Sequence, residues 1–393
     1  MKVAIIIERY DISLGGAEWL AYELASALSS LGVEVDILAV HGSSNDANVH
    51  FLYPDDHNKR ISLASFTKTI SNYIERNHYD IIHSLIPLSF ADVYQPPGGS
   101  FTEAIIRNAA SYRNKLISVY KKATAFANQR RTEMLYAEKK LCKNPNGPII
   151  AALSNYVKKQ FENHYNLDSE RIALVPNGVK IDNKADAQSA EKLKKQIFSR
   201  LEIERSARPV FFLFGANNFR LKGLNVLMEA LALLEKTPTP RTPYLLVAGG
   251  GKINEFRSLA EMLKLGRKIV FLGHLPNIQN IMSISDAAVL PTFYDPCSRF
   301  ILEALAACKP VITTKFNGAS DFFENNRHGK VIDNPEDINA LADAIRYFTD
   351  TKNLENASQA ITEDNLKENI SIDRAARQLL DVYESVLQRK GQK

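Results

Sequence analysis

The stretch 210-VFFLFGANNFRLKGLNVLMEALALL-234 decides the fold. Its first five residues are apolar without alternation, the pattern of a strand buried on both faces. Gly215 closes the strand, and a short polar turn follows. Leu224 then opens a run whose apolar residues recur at helical spacing. The same unit repeats along the chain. Further strand-like runs lie at 3–7, 33–40, 80–86, 149–153 and 172–175, then at 244–248, 268–272, 287–290 and 310–314. Helical segments such as 17–30, with Leu20, Leu24, Ala27 and Leu28 on one face, separate them. Strand–helix alternation predicts parallel sheets flanked by helices. A polar gap at 182–208, rich in Asp, Lys and Gln, divides the series and reads as a linker plus a surface helix. The predicted fold is α/β, with two Rossmann-like domains at 1–182 and 183–371. Such sheets bind ligands at the carboxyl ends of their strands, so two facing domains would form a cleft between them.

Composition narrows the class. The 393 residues are 45% hydrophobic and 24% charged, with a net charge of +5. These values exclude a disordered tail, a collagen-like fibre and a polytopic membrane protein. They also exceed what one core usually supports. Three cysteines, Cys142, Cys297 and Cys308, show no C-x-x-C spacing, which argues against a disulfide framework or a zinc site. The amino-terminal apolar run is too short for a signal peptide, and no apolar run is long enough to span a bilayer. A cytoplasmic location is expected.

Three motifs carry chemistry. Gly15-Gly16 precede Ala17-Glu18 at a helix start. Paired glycines admit a ligand close to the backbone, and a helix N-terminus favours phosphate. The spacing is not G-x-G-x-x-G, so the Rossmann dinucleotide fingerprint is absent. Arg220 and Lys222 stand after the 210–215 strand, where a guanidinium can grip phosphate and a lysine can act as a point charge. Asp295 and Glu303 flank 296-PCSRFIL-302. Pro296 suits a first helical position and Asp295 a cap, so a helix through Ala307 is expected. The amides of Ser298, Arg299 and Phe300 would then face a ligand.

The ordered set resembles the retaining GT-B glycosyltransferases of family 4 (glycosyl transferases group 1), most of all the lipopolysaccharide core glucosyltransferase I type. The resemblance rests on Gly15–Glu18, 80-DIIH-83, 92-DVY-94, 154-SNYV-157, 175-VPNGV-179, Arg220/Lys222, 271-FLGHL-275 and the Asp295/Glu303 pair. It implies that the last helix, 372–393, packs back on the first domain, which binds the acceptor, while the second binds a nucleotide-sugar donor. By the same resemblance Glu303 holds the ribose. Asp295 and the amides of Ser298, Arg299 and Phe300 hold the sugar and diphosphate, and Arg220 and Lys222 neutralise the diphosphate. Gly273, His274 and Leu275 contact the base, and Gly15 and Gly16 approach the diphosphate. The implied reaction transfers a hexose, expected to be glucose from UDP-glucose, to a lipopolysaccharide-core or other cell-surface glycan or glycolipid. A family-4 mannosyltransferase, another GT-B sugar-nucleotide enzyme and a non-catalytic nucleotide-sugar-binding protein are the alternatives.

Departures from the family pattern are visible. Asp295 replaces the usual Glu, Ala216 replaces an Arg, and Pro97 stands where relatives often carry His, leaving Asp92 or His83 as acceptor-side candidates. No D-x-D triplet is present. Transfer without metal or cofactor is therefore expected, with cations in the metal's place.

Charge is concentrated in one place. Residues 101–143 hold ten Lys or Arg against three Glu, a net +7, so the rest of the chain is at −2. Ile105, Ala109, Tyr112, Leu116, Val119, Ala123 and Phe126 recur there at helical spacing. One or two basic amphipathic helices are expected, suited to an anionic membrane surface or an acidic acceptor. No aromatic–basic motif for nucleic acid appears.

Overall fold

The computed structural model describes residues 1–11, 16–53, 61–204 and 208–391. The chain forms two units. One comprises 1–109, 116–178 and 371–393, the other 110–115 and 179–370. Each is built on a parallel sheet.

The first unit has seven strands: β1 (Lys2–Tyr10), β2 (Glu34–Gly42), β3 (Val49–Phe51), β4 (Ile81–Ser84), β5 (Val93–Tyr94), β6 (Ile149–Ala152) and β7 (Ile172–Leu174). They lie in the order β3-β2-β1-β4-β5-β6-β7. The continuous apolar run of β1 divides between two cores, because successive side chains point to opposite faces. Val3, Ile5 and Ile7 join helix Gly16–Ser30 and the last helix, Ile372–Gly391, on one face. Ala4 and Ile6 join Phe66 and Ile70 of helix Leu63–Asn77 on the other.

The last helix is tied down by polar contacts as well. Its Tyr383 hydroxyl lies 2.6 Å from Nδ1 of His83 on β4. Burial lowers the His83 pKa to about 3, so the ring is neutral. Arg374 donates to the carbonyls of Pro176 and Asn177.

These contacts correct one reading. Asp92 sits at the amino-terminal end of β5, accepting from the Ile82 amide and from Lys390 Nζ, each at 2.8 Å. Ligands of such sheets bind at the opposite, carboxyl ends. Asp92 is a structural tie between β4, β5 and the last helix, not a catalytic group.

The basic stretch forms three helices rather than one or two: Phe101–Ala110, Lys115–Thr124 and Gln129–Lys143. The apolar stripe is split between them. Ile105 and Ala109 are buried, whereas Leu116, Val119, Tyr120 and Phe126 are exposed. Helix Lys115–Thr124 buries no side chain. No helix among the described residues is long and apolar enough to cross a membrane.

The flanking helices are anchored through a buried carboxylate. Glu138 accepts from the Phe101 amide at 2.8 Å, the Tyr94 hydroxyl at 2.9 Å and the Tyr165 hydroxyl. Beside it, Glu103 accepts from Arg107 Nε (2.6 Å) and Tyr156 (2.9 Å) and pairs with His164 (2.7 Å).

The second unit has β8 (Val210–Gly215), β9 (Pro243–Ala248), β10 (Ile269–Gly273), β11 (Ala287–Leu290), β12 (Val311–Thr314) and β13 (Gly329–Ile332), in the order β10-β9-β8-β11-β12-β13. The polar gap carries helix Ala187–Arg200, capped by Asp186, within this unit.

Burial raises the Glu138 pKa from 4.5 to about 7, against the pull of its three donors. The folded chain then holds a proton that the unfolded chain has already released. Between pH 4.5 and 7 this group's contribution to stability is lost as pH rises. Urea unfolding across that window should show the decline in the wild type and a flatter profile in Glu138→Gln. Equal slopes would contradict the assignment.

Candidate functional site

In the second sheet the strand order reverses between β8 and β11. A crevice opens outside the carboxyl ends at such a switch point, which makes it the expected ligand site. The loop after β8 carries Arg220 and Lys222. The loop after β11 carries Asp295 and leads to Glu303.

The two loops are locked together. Gly223 has φ 82° and caps helix Leu224–Leu234. A Cβ there would lie 2.1 Å from the Pro291 carbonyl oxygen, so only glycine permits the approach. The Phe293 amide donates to the Leu221 carbonyl at 2.9 Å. Lys222 Nζ then donates to Asp295 Oδ2 at 2.7 Å and to the Tyr294 carbonyl at 2.8 Å. Both charged side chains are mostly buried, 19% and 14% exposed. An ammonium has three N–H donors, so one remains beyond these two contacts among the described residues.

The Asp295 backbone is fixed from below. Its amide donates to the Phe316 carbonyl, and its carbonyl accepts from the Gly318 amide, both at 2.9 Å. Asn317 is fully buried. Its Oδ1 accepts from the amides of Ser298 (3.2 Å) and Ala319 (3.1 Å), and its Nδ2 donates to Thr313 at 2.9 Å.

This arrangement moves the expected helix start. Asp295 is held extended in a bridge with Asn317 and does not cap. The helix runs Arg299–Ala306, and Ser298 is its N-cap through the Ile301 amide. The Ser298 amide is occupied by Asn317 rather than offered to a ligand. Arg299 and Phe300 remain in the first turn, and the Phe300 ring lies against Gly215 at the end of β8. A Cβ on Gly215 would come within 2.6 Å of that ring. Glu303, one turn on, lies 3.5 Å from Arg299 Nη2.

Arg220 is held by residues far away in sequence. Its Nη1 donates to the Ser111 hydroxyl, and its Cζ lies 3.7 Å from the centre of the Tyr112 ring. Both partners come from 110–115, a segment expected in the first domain and counted with the second unit. Burial pulls the Arg220 pKa down, opposed by Tyr112.

At the neighbouring strand ends, Gly273 has φ 71° and its carbonyl accepts from the Gly249 amide at 2.7 Å. His274 beside it is exposed, and Leu275 is half-buried. The sequence reading passed over Gly249-Gly250-Gly251, which follow β9 directly. Their signal was plain: three glycines ending a buried strand leave backbone uncovered for a ligand.

In the first unit, Gly16 opens helix Gly16–Ser30 and is exposed, while Gly15 lies outside the described residues. Pro97 lines two cavities of about 370 and 460 Å³ at the carboxyl ends of β1 and β4. Glu8 lines both, and pairs with Arg130 Nη2 at 2.7 Å. Among the described residues, no three His, Cys, Asp or Glu side chains converge as a metal-binding group.

Two parallel sheets, one with cations and carboxyl groups at its switch point, define the GT-B class of glycosyltransferase fold. The chain belongs to the family-4 glycosyltransferases. Residues 14–183 match "Glycosyltransferase Family 4" and 177–365 match "Glycosyl transferases group 1". It is 24% identical over 386 residues to the lipopolysaccharide glucosyltransferase WaaG of Escherichia coli K12, covering 92% of this chain and 99% of that one. Its fold is similar to a crystal structure of WaaG, with TM-score 0.67, 20% identity and coverage of 99% and 98%. It is also similar to Anabaena Alr3699/HepE in complex with UDP-glucose, with TM-score 0.69, 16% identity and coverage of 98% and 100%.

Proposed function

We propose that the chain is a retaining hexosyltransferase that moves glucose from UDP-glucose to a lipopolysaccharide-core or other cell-surface glycan. The observation that carries this reading is the Lys222–Asp295 contact, which joins the loops leaving β8 and β11 at the switch point of the second sheet. The lipopolysaccharide glucosyltransferase relative and the UDP-glucose complex of a protein of similar fold support it.

In this reading Glu303 accepts from the ribose diol. Arg220 and the remaining Lys222 N–H meet the diphosphate, and the backbone at Gly273, His274 and Leu275 borders the base. Asp295 holds Lys222 and faces the sugar. The glycosidic C–O bond breaks through an oxocarbenium-like transition state, and negative charge grows on the departing diphosphate. In this scheme Arg220, Lys222 and the start of helix Arg299–Ala306 stabilise that charge. The leaving oxygen takes the acceptor hydroxyl's proton as the new bond forms on the same face. No protein nucleophile, metal or cofactor enters the scheme. The enzyme acts in the cytoplasm, and Asp92 has no part in the reaction.

A donor panel read by released nucleotide tests this. UDP release from UDP-glucose, undiminished in excess chelator, is the expected result. Lys222→Ala and Glu303→Ala should each lose about 2–4 kcal/mol of transition-state stabilisation, roughly 30- to 1,000-fold in kcat/KM. GDP release from GDP-mannose alone would favour a mannosyltransferase, and binding without turnover a non-catalytic protein. Loss in chelator restored by one divalent ion would overturn the metal-free scheme.

We also propose that helix Lys115–Thr124 rests on an anionic membrane surface. It exposes Leu116 and Val119 (83% and 69%) beside Lys115, Lys121 and Lys122. Co-sedimentation with vesicles containing anionic lipid should occur at low salt and weaken at high salt. No binding at low salt would remove the proposal.

A further inference from the structure

Between helices Phe101–Ala110 and Lys115–Thr124 the chain makes a tight turn. Arg113 takes φ 59°, its amide donates to the Ala110 carbonyl at 3.1 Å, and the Asn114 amide donates to the Tyr112 carbonyl at 2.6 Å. This six-residue strap, 110–115, packs as part of the second unit. Arg113 Nη1 is bonded to Glu229 Oε1 at 2.6 Å. Glu229 lies on helix Leu224–Leu234, which begins where the Arg220 loop ends. The strap is thereby fixed to the element that carries Arg220. The Arg220 Cζ then lies 3.7 Å over the centre of the Tyr112 ring, and buried Ser111 accepts from Arg220 Nη1.

A free arginine side chain spreads over many rotamers, and its planar fork works only in the right orientation. The ring contact limits where the fork can lie, and the hydrogen bond to Ser111 limits its rotation. We propose that Tyr112 and Ser111 are positioning residues for Arg220, so that the donor-side cation is set by a strap drawn from between two helices of the acceptor half of the sequence. The inference rests on the reading that Arg220 meets the donor diphosphate. The ring face does the work, so Phe should replace Tyr112 and an aliphatic side chain should not.

The test is steady-state turnover of UDP-glucose by the full chain, with unfolding midpoints measured alongside. Tyr112→Leu should lower kcat about 5- to 30-fold, the equivalent of ~1–2 kcal/mol of cation–π contact at 1.4 kcal/mol per tenfold. KM should move less, and the midpoint should hold. Tyr112→Phe should stay within about twofold of wild type. In an Arg220→Ala background, Tyr112→Leu should cost little more, because its effect runs through the guanidinium. Should Tyr112→Leu fail to fold, Ser111→Ala carries the same expectation with a smaller loss. Wild-type or faster turnover in the folded Tyr112→Leu variant would overturn the inference, a gain meaning that the strap masks Arg220. An equal loss with or without Arg220 would overturn it too. Arg220→Ala as active as wild type would sink the site reading itself, and the positioning role with it.

Discussion

The contact between Lys222 and Asp295 organises the candidate site. It joins the loop leaving β8 to the loop leaving β11 across the point where the sheet changes direction. Neither side chain is more than one-fifth exposed, so each partner is the other's main compensation for lost water. Removing one member of such a pair strands a charge and typically costs about 3–5 kcal/mol, although a well-packed apolar pair could be just as stable. Its role is therefore better seen in geometry than in stability. It fixes an ammonium beside a carboxylate where a ligand would sit, above a bed of Thr313, Thr314 and Asn317 that is fully buried and hydrogen-bonded.

That contact also changes what Asp295 can be. The family's longer glutamate would reach further, whereas this aspartate is already committed to Lys222. Its backbone is held extended by Phe316, Gly318 and the bridge to Asn317, and this tertiary restraint overrides the local preference of Pro296 to begin a helix. The helix starts at Arg299 instead, and Ser298 takes the cap.

Most of the architecture was legible because the sheets are parallel and buried on both faces. Runs such as Val3–Ile7 and Val210–Phe214 can hardly be anything else in that context. The strands not predicted, β3, β5 and β13, read VHF, VY and GKVI and lack the continuous apolar run that marks the others. Other misses have distinct causes. Motif spacing brought Asp92 to attention but does not say which end of a strand a residue occupies. Helical periodicity found the stripe from Ile105 to Phe126 but does not say what covers it, and its two ends met different fates. The grip of Ser111 and Tyr112 on Arg220 spans 109 residues of sequence and leaves no local trace.

The account's central claim is that the strand ends of the second sheet receive the nucleotide sugar. Hydrogen–deuterium exchange with and without saturating UDP-glucose tests it most directly. Protection should gather in 215–223, 249–251, 273–275 and 292–303, the loops at the carboxyl ends of β8, β9, β10 and β11. Protection absent from these loops, or confined to other parts of the chain, would contradict the account.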